Sequence, residues 1–178
     1  MYNYNQYGKT YPQYFMLHKA LPLGYTQQKY ILATQKQYIS NIKVGIMINE
    51  MIIFNLEPTR EGVNYFVMGD YPQQRFEGFY DDYKLSHVGN VVLEQEGKNV
   101  KLTPTKNMLK SKISLFRERG LYINLFTGKI FGVTFYQSQN IIIDLVPCLD
   151  DKGVPCLYDI IKGNTYYSSS NTPFIKGE

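Results

Sequence analysis

The sequence predicts an all-β fold, an antiparallel sandwich or barrel of about ten to thirteen short strands. Three observations predict it. Only two of the 178 residues are Ala (Ala20 and Ala33), the best helix former. Tyr, Ile, Val, Phe and Thr, which fit a pleated surface, are abundant instead. No twelve-residue window carries a helical apolar stripe, and apolar runs such as Ile141-Ile142-Ile143 have strand length.

Residues 1–20 stand apart from this pattern. Tyr2, Tyr4, Tyr7, Tyr11 and Tyr14 alternate there with Asn, Gln, Gly, Lys and Pro12, and aliphatics are few before Phe15-Met16-Leu17. The segment reads as a disordered tail or as an extended arm that orders on a partner, its Tyr rings supplying contact area at low entropy cost. Residues 21–178 form the domain.

Strands follow in order. Residues 37–48 and 51–56 are Ile-rich, with Asn49-Glu50 as the turn between them. Residues 63–68 and 75–80 flank Gly69-Asp70-Tyr71-Pro72. Residues 91–95 and 99–103 flank Glu96-Gly97-Lys98, the clearest hairpin signal in the chain. Residues 112–116, 121–126, 129–136 and 141–146 continue the series, and 157–161 and 165–167 bracket Lys162-Gly163-Asn164. Within 129–136 the alternation puts Phe131, Val133 and Phe135 on one core-facing side. Gly132 marks a close approach of another backbone.

The net charge of +4 is uneven: residues 1–49 hold Lys9, Lys19, Lys29, Lys36 and Lys43 and no acid. That density fits a mildly cationic surface better than a nucleic-acid-binding arm. Lys106, Lys110, Lys112, Arg117 and Arg119 have only Phe116 interleaved among them, so no nucleic-acid partner is expected. The N-terminus has no signal-peptide pattern and no apolar run is long enough to span a membrane, so no membrane association is expected.

Catalytic constellations are missing from the sequence. No Glu-x-Asp-x-x-Glu run, nucleophile elbow, His pair or phosphate loop occurs, and Glu94 and Glu96 sit at a hairpin end beside Lys98. The expectation is a protein that is not an enzyme. Cys148 and Cys156 lie in a repeated Val-Pro-Cys tripeptide on either side of a turn. Strands paired in register would allow a disulfide, and two buried free thiols are the preferred alternative. A zinc site is not expected with only His18 and His87 available.

The candidate contact set is Tyr71, Arg75, Phe79, Tyr80, Asp81, Asp82 and Tyr83. Aromatic rings beside carboxylates, amides and a guanidinium suit stacking on sugar C–H faces with bonds to hydroxyls, or a protein contact. A core strand with a polar loop is the bland reading of the same residues.

Leu21-Pro22-Leu23-Gly24-Tyr25, then Tyr30-Ile31, Thr34 and Gln37-Tyr38-Ile39, resembles the opening signature of a concanavalin-like (laminin-G-like) jelly-roll module. Such modules occur in phage virion proteins and gut-bacterial surface proteins. Gly128-Lys129-Ile130-Phe131 with Phe135-Tyr136, then Leu145-Val146-Pro147-Cys148, Leu157-Tyr158-Asp159 and Tyr166-Tyr167, resembles its closing strands. Two departures stand out. Gln35 occupies the place where the pattern usually has Gly, and Pro155-Cys156 precede Leu157.

The resemblance implies a jelly-roll β-sandwich with an extended N-terminal arm, and motif residues that shape turns and fill the core. It implies a non-catalytic virion structural or decoration protein, of head- or tail-fibre type, whose partners are capsid, portal or tail proteins. A homo-oligomer is expected, a trimer in a fibre. The alternative is a lectin-like adhesin on a virion or bacterial cell surface that binds a host-surface glycan. No cofactor is expected; calcium at a rim, near Gly69-Asp70 and Asp81-Asp82, is the alternative that laminin-G-like modules suggest.

Overall fold

A computed structural model describes residues 20–44, 48, 50–69, 76–106, 112–117 and 125–177. Every regular element among them is a strand, and the strands form two antiparallel sheets. The predicted fold class holds at that level.

The larger sheet has ten strands. Its main path runs β14 (Thr165–Tyr166), β13 (Pro155–Asp159), β12 (Asn140–Leu149), β11 (Thr127–Gln137), β4 (Met51–Pro58), β9 (Asn99–Pro104) and β8 (Val91–Glu96). Three short strands attach to it: β1 (Thr26–Gln27) on β12, β2 (Ile31–Thr34) on β11, and β15 (Ile175–Lys176) on β2. The smaller sheet runs β3 (Ile39–Lys43), β10 (Lys112–Leu115), β5 (Val63–Met68), β6 (Phe76–Asp81) and β7 (Lys84–Gly89).

The two sheets share one core, the arrangement of a β-sandwich. Alternation drives it: Ile52, Phe54 and Leu56 of β4 and Val100 and Leu102 of β9 are buried, while the residues between them are partly exposed. Phe66 and Tyr80 answer from the small sheet, with Phe66 edge-on to Phe54 at 5.0 Å.

β11 corrects the simple alternation expected for 129–136. A bulge between Ile130 and Gly132 shifts its register against β4. Ile130, Val133 and Phe135 therefore face the core, and Phe131 turns out to the other side. There it meets Tyr30 at 5.6 Å, and Lys98 Nζ lies 4.5 Å above its ring. Lys98 and Lys129 both pair with the Glu57 carboxylate, and those bonds lower its pKa to about 2. Gly132 does sit close to another backbone: a Cβ there would lie 3.1 Å from the Leu145 oxygen.

The turn residues follow conformation. Pro22-Leu23-Gly24-Tyr25 closes through Tyr25 N–H to the Pro22 oxygen at 3.0 Å, with Gly24 at φ 86°. Lys162-Gly163-Asn164 is the expected turn, with Gly163 at φ 79° and Asp159 N–H bonded to the Asn164 oxygen. Two further hairpin turns lack Gly altogether. Asp82-Tyr83 and Ser138-Gln139 have both central residues at positive φ, the type I′ signature.

Gln35 also stands in the left-handed region, at φ 63°. A side chain there costs roughly 1 kcal/mol relative to Gly. Gln35→Gly is therefore expected to raise the stability of the chain by about 0.5–1 kcal/mol, allowing for the freer unfolded state. Urea unfolding of the two proteins checks this, and a destabilised variant would refute it.

Several expected strands end elsewhere. β3 stops at Lys43 and β10 at Leu115, where Phe116 reverses at φ 67°. Of the expected 121–126 strand, Leu125 makes only an isolated parallel bridge to Tyr65, and 121–124 lie outside the described residues. Asn49 of the expected Asn49-Glu50 turn is also outside them, and Glu50 is buried. β7 was not expected, because Lys-Leu-Ser-His-Val-Gly carries neither an apolar run nor a Gly-containing turn before it.

Candidate functional site

The contact set divides once β6 and β7 are placed. Tyr2, Tyr4, Tyr7, Tyr11, Tyr14, Tyr71 and Arg75 lie outside the described residues, as does Asp70. Phe79, Tyr80, Asp81, Asp82 and Tyr83 run from the end of β6 into its turn to β7.

Tyr80 leaves the set. β6 alternates, so Phe76, Gly78 and Tyr80 point into the core and Glu77, Phe79 and Asp81 point away from it. Tyr80 is 1 % exposed and leans on Phe66 at 5.5 Å. Burial pushes its hydroxyl up to about 12. Its ring is core, so a partner on the surface cannot stack on it.

Phe79 keeps a partial exposure on the opposite side of the sheet. Its register partner on β5 is Tyr65, and the two rings stack at 4.9 Å with 30° between their planes. On its other side Phe79 pairs with Ser86 of β7. The sequence had left Tyr65 without a role, since only pairing of β5 with β6 brings it beside Phe79.

Asp81, Asp82 and Tyr83 are exposed at the hairpin end. Asp81 pairs with Lys84 in register, which leaves Asp82 and Tyr83 as the two turn residues. Asp82 is tied down: its carboxylate accepts from Gly62 N–H at 2.8 Å, and its own N–H donates to the Gly62 oxygen at 3.3 Å. That neighbouring loop is itself held, because Asn64 donates to the oxygens of Arg60 and Gly62 and accepts from Thr127 N–H.

Tyr83 therefore stands at φ 65°, about half exposed, on a turn fixed from below. A large residue in that conformation carries strain, and its ring is presented without mobile backbone beneath it. The candidate contact group that remains is Tyr83 and two carboxylates at the turn, with the partly exposed Phe79–Tyr65 stack on β6 and β5. It offers ring faces and hydroxyl acceptors, chemistry that suits a sugar or a polar protein surface.

Asp82 engages one carboxylate oxygen with Gly62 N–H, and Asp70 of the candidate calcium rim lies outside the described residues. Among the described residues no group of three or more His, Cys, Asp or Glu converges on a common point.

The resemblance-bearing residues have structural work to do. Gln37 is fully buried; its oxygen accepts from Thr34 N–H at 2.7 Å and its amide donates to the Pro173 oxygen at 2.9 Å. Tyr25 meets Tyr158 edge-on at 5.8 Å and bonds Thr165 through its hydroxyl. No protein-family model, curated protein or solved structure matches this chain.

Proposed function

We propose that the chain is a non-catalytic structural protein of a phage virion, a jelly-roll body with an N-terminal arm that anchors it to a capsid, portal or tail partner. One observation carries the reading more than any other. Gln35 replaces the Gly of the resembled pattern, and it adopts the left-handed conformation for which that Gly would be suited. The opening and closing blocks also meet as parts of one fold: β2 lies on β11, and Tyr25 lies on Tyr158. Residues 1–20, acid-free and rich in Tyr, supply the anchor; the body is displayed outward, as a homo-oligomer. Removing residues 1–20 is expected to abolish co-sedimentation with assembled particles. Co-sedimentation at the level of the full chain would sink the anchoring role.

A second reading, attachment to a host-surface glycan, is favoured by the fixed turn that displays Tyr83. Here Tyr83→Gly separates the two roles of the residue. Relieving the positive φ is expected to stabilise the fold by about 1 kcal/mol. Loss of the ring is expected to weaken glycan binding roughly tenfold, as for a hot-spot aromatic. Binding on a glycan array that is unchanged in the variant would rule the turn out as the sugar contact.

A further inference from the structure

Cys148 on β12 and Cys156 on β13 are direct register partners, and neither is exposed to solvent. Both are free thiols. With Tyr158 and Ile160 they form a second small core, separate from the main one and covered by Leu21, Tyr25, Val146 and Ile161.

The hairpin fixes the geometry of the pair. Asp150 N–H donates to the Val154 oxygen at 3.0 Å, which makes Asp150–Val154 a hydrogen-bonded pair. Two residues further along each strand, Cys148–Cys156 is of the same kind, with Cα atoms about 5.5 Å apart. Disulfides span Cα separations of roughly 4.4–6.8 Å. Opposed Cβ atoms stand about 4.5–5.5 Å apart in such pairs, against about 3.8 Å in a disulfide. Closing the bond therefore draws the two strands together by about an ångström.

We propose that Cys148 and Cys156 are a latent disulfide site, closed by a small-molecule disulfide such as oxidised glutathione only while the β12–β13 hairpin is uncovered during folding. One cysteine thiolate attacks a sulfur of oxidised glutathione, forming a mixed disulfide and releasing one glutathione thiolate. The second cysteine thiolate then attacks the protein sulfur of that mixed disulfide. The Sγ–Sγ bond forms and the second glutathione leaves. The two protein thiols are oxidised, one glutathione disulfide is reduced to two thiols, and the two protons pass to the leaving thiolates.

The timing rests on the cover. With Leu21 and Tyr25 packed over them, neither cysteine is exposed to solvent. Burial also pushes both thiols up to about 12, so the attacking thiolate is scarce in the folded chain. The redox state at the moment of folding is thereby retained afterwards.

The full chain tests this. One sample is unfolded with reductant in guanidinium and refolded in oxidised and reduced glutathione. A second is refolded fully reduced and then held in the same glutathione mixture for the same time. Both are denatured, alkylated and weighed intact. The first is expected to be a monomer lacking two hydrogens that takes up no alkyl group. The second is expected to take up two. Two free thiols or a retained glutathione in the first sample would overturn the site. Crosslinking of the second sample as complete as that of the first would overturn the protection by the cover.

Discussion

Replacing Asp159 with Ala is expected to destabilise the chain by about 3–5 kcal/mol. The residue is fully buried at the end of β13. One carboxylate oxygen accepts from Asp144 N–H at 3.2 Å, Ile161 N–H at 3.0 Å and Lys162 N–H at 3.2 Å. Hydrogen bonds to a charged group contribute about 1.5–3 kcal/mol each, and a buried donor left without a partner costs about 1–3 kcal/mol. Ala would orphan the Asp144 N–H in the interior and free the 160–163 turn, with Tyr166 beyond it. Asn would keep an acceptor oxygen in the same place, so Asp159→Asn is expected to retain more than half of the lost stability. Urea unfolding of the three proteins makes the comparison. Equal losses for Ala and Asn would show that the accepting oxygen is not what matters.

Phe54→Ala is the second large effect, about 3–5 kcal/mol. Phe54 is fully buried on β4, in the middle of the large sheet, and its ring meets Phe66 of the small sheet. The substitution removes transfer free energy and leaves a cavity where the two sheets meet. It also deletes an aromatic pair contributing about 0.5–1.5 kcal/mol. In a chain of this size the melting temperature should fall by roughly 10 °C. Phe54→Leu keeps most of the volume and should cost less than half as much. A loss below 1 kcal/mol for Phe54→Ala, read by calorimetry, would mean that the two sheets do not depend on this contact.

The sequence announced those strands whose pairing is local. β8 and β9 were legible because Gly97 sits in their turn and apolar residues alternate beside it. β6 and β7 form an equally regular hairpin, with six residues of each in register, yet β7 went unseen. Its turn uses Asp82 and Tyr83 at positive φ, a conformation that composition assigns to Gly or Asn. The anchor that makes it tolerable is Gly62, twenty residues earlier in the chain. The bulge in β11 was illegible for a related reason. A one-residue slip reverses which side chains face the core, and nothing local in Ile130-Phe131-Gly132 declares it.

The same limit applied to the contact surface. Position in a cluster of aromatics suggested that Tyr80 and Tyr83 were alike. The pleat separates them: Tyr80 falls on the inward side, and Tyr83 falls in the turn, where the pleat no longer applies. Tyr65 joined the surface only through strand pairing across 14 positions of sequence. For the cysteines, spacing left the disulfide open. Register places the two side by side, and both are buried.

The order of the first short strands bears on how the fold would respond to a pull from its N-terminal end. Tension applied at Ala20 arrives first at Leu21 and Tyr25, which pack on the Cys148–Cys156 core, and then at β1, whose ladder with β12 comprises the Thr26–Leu149 and Gln27–Cys148 pairs. Those pairs would yield one after the other at low force. β2 is next, and it is gripped on both sides, by β11 over four pairs and by β15 over two. Resistance should therefore rise steeply after a short extension. Residues 20–27 would act as a compliant leader, and β2 as the mechanical stop that protects the rest of the fold.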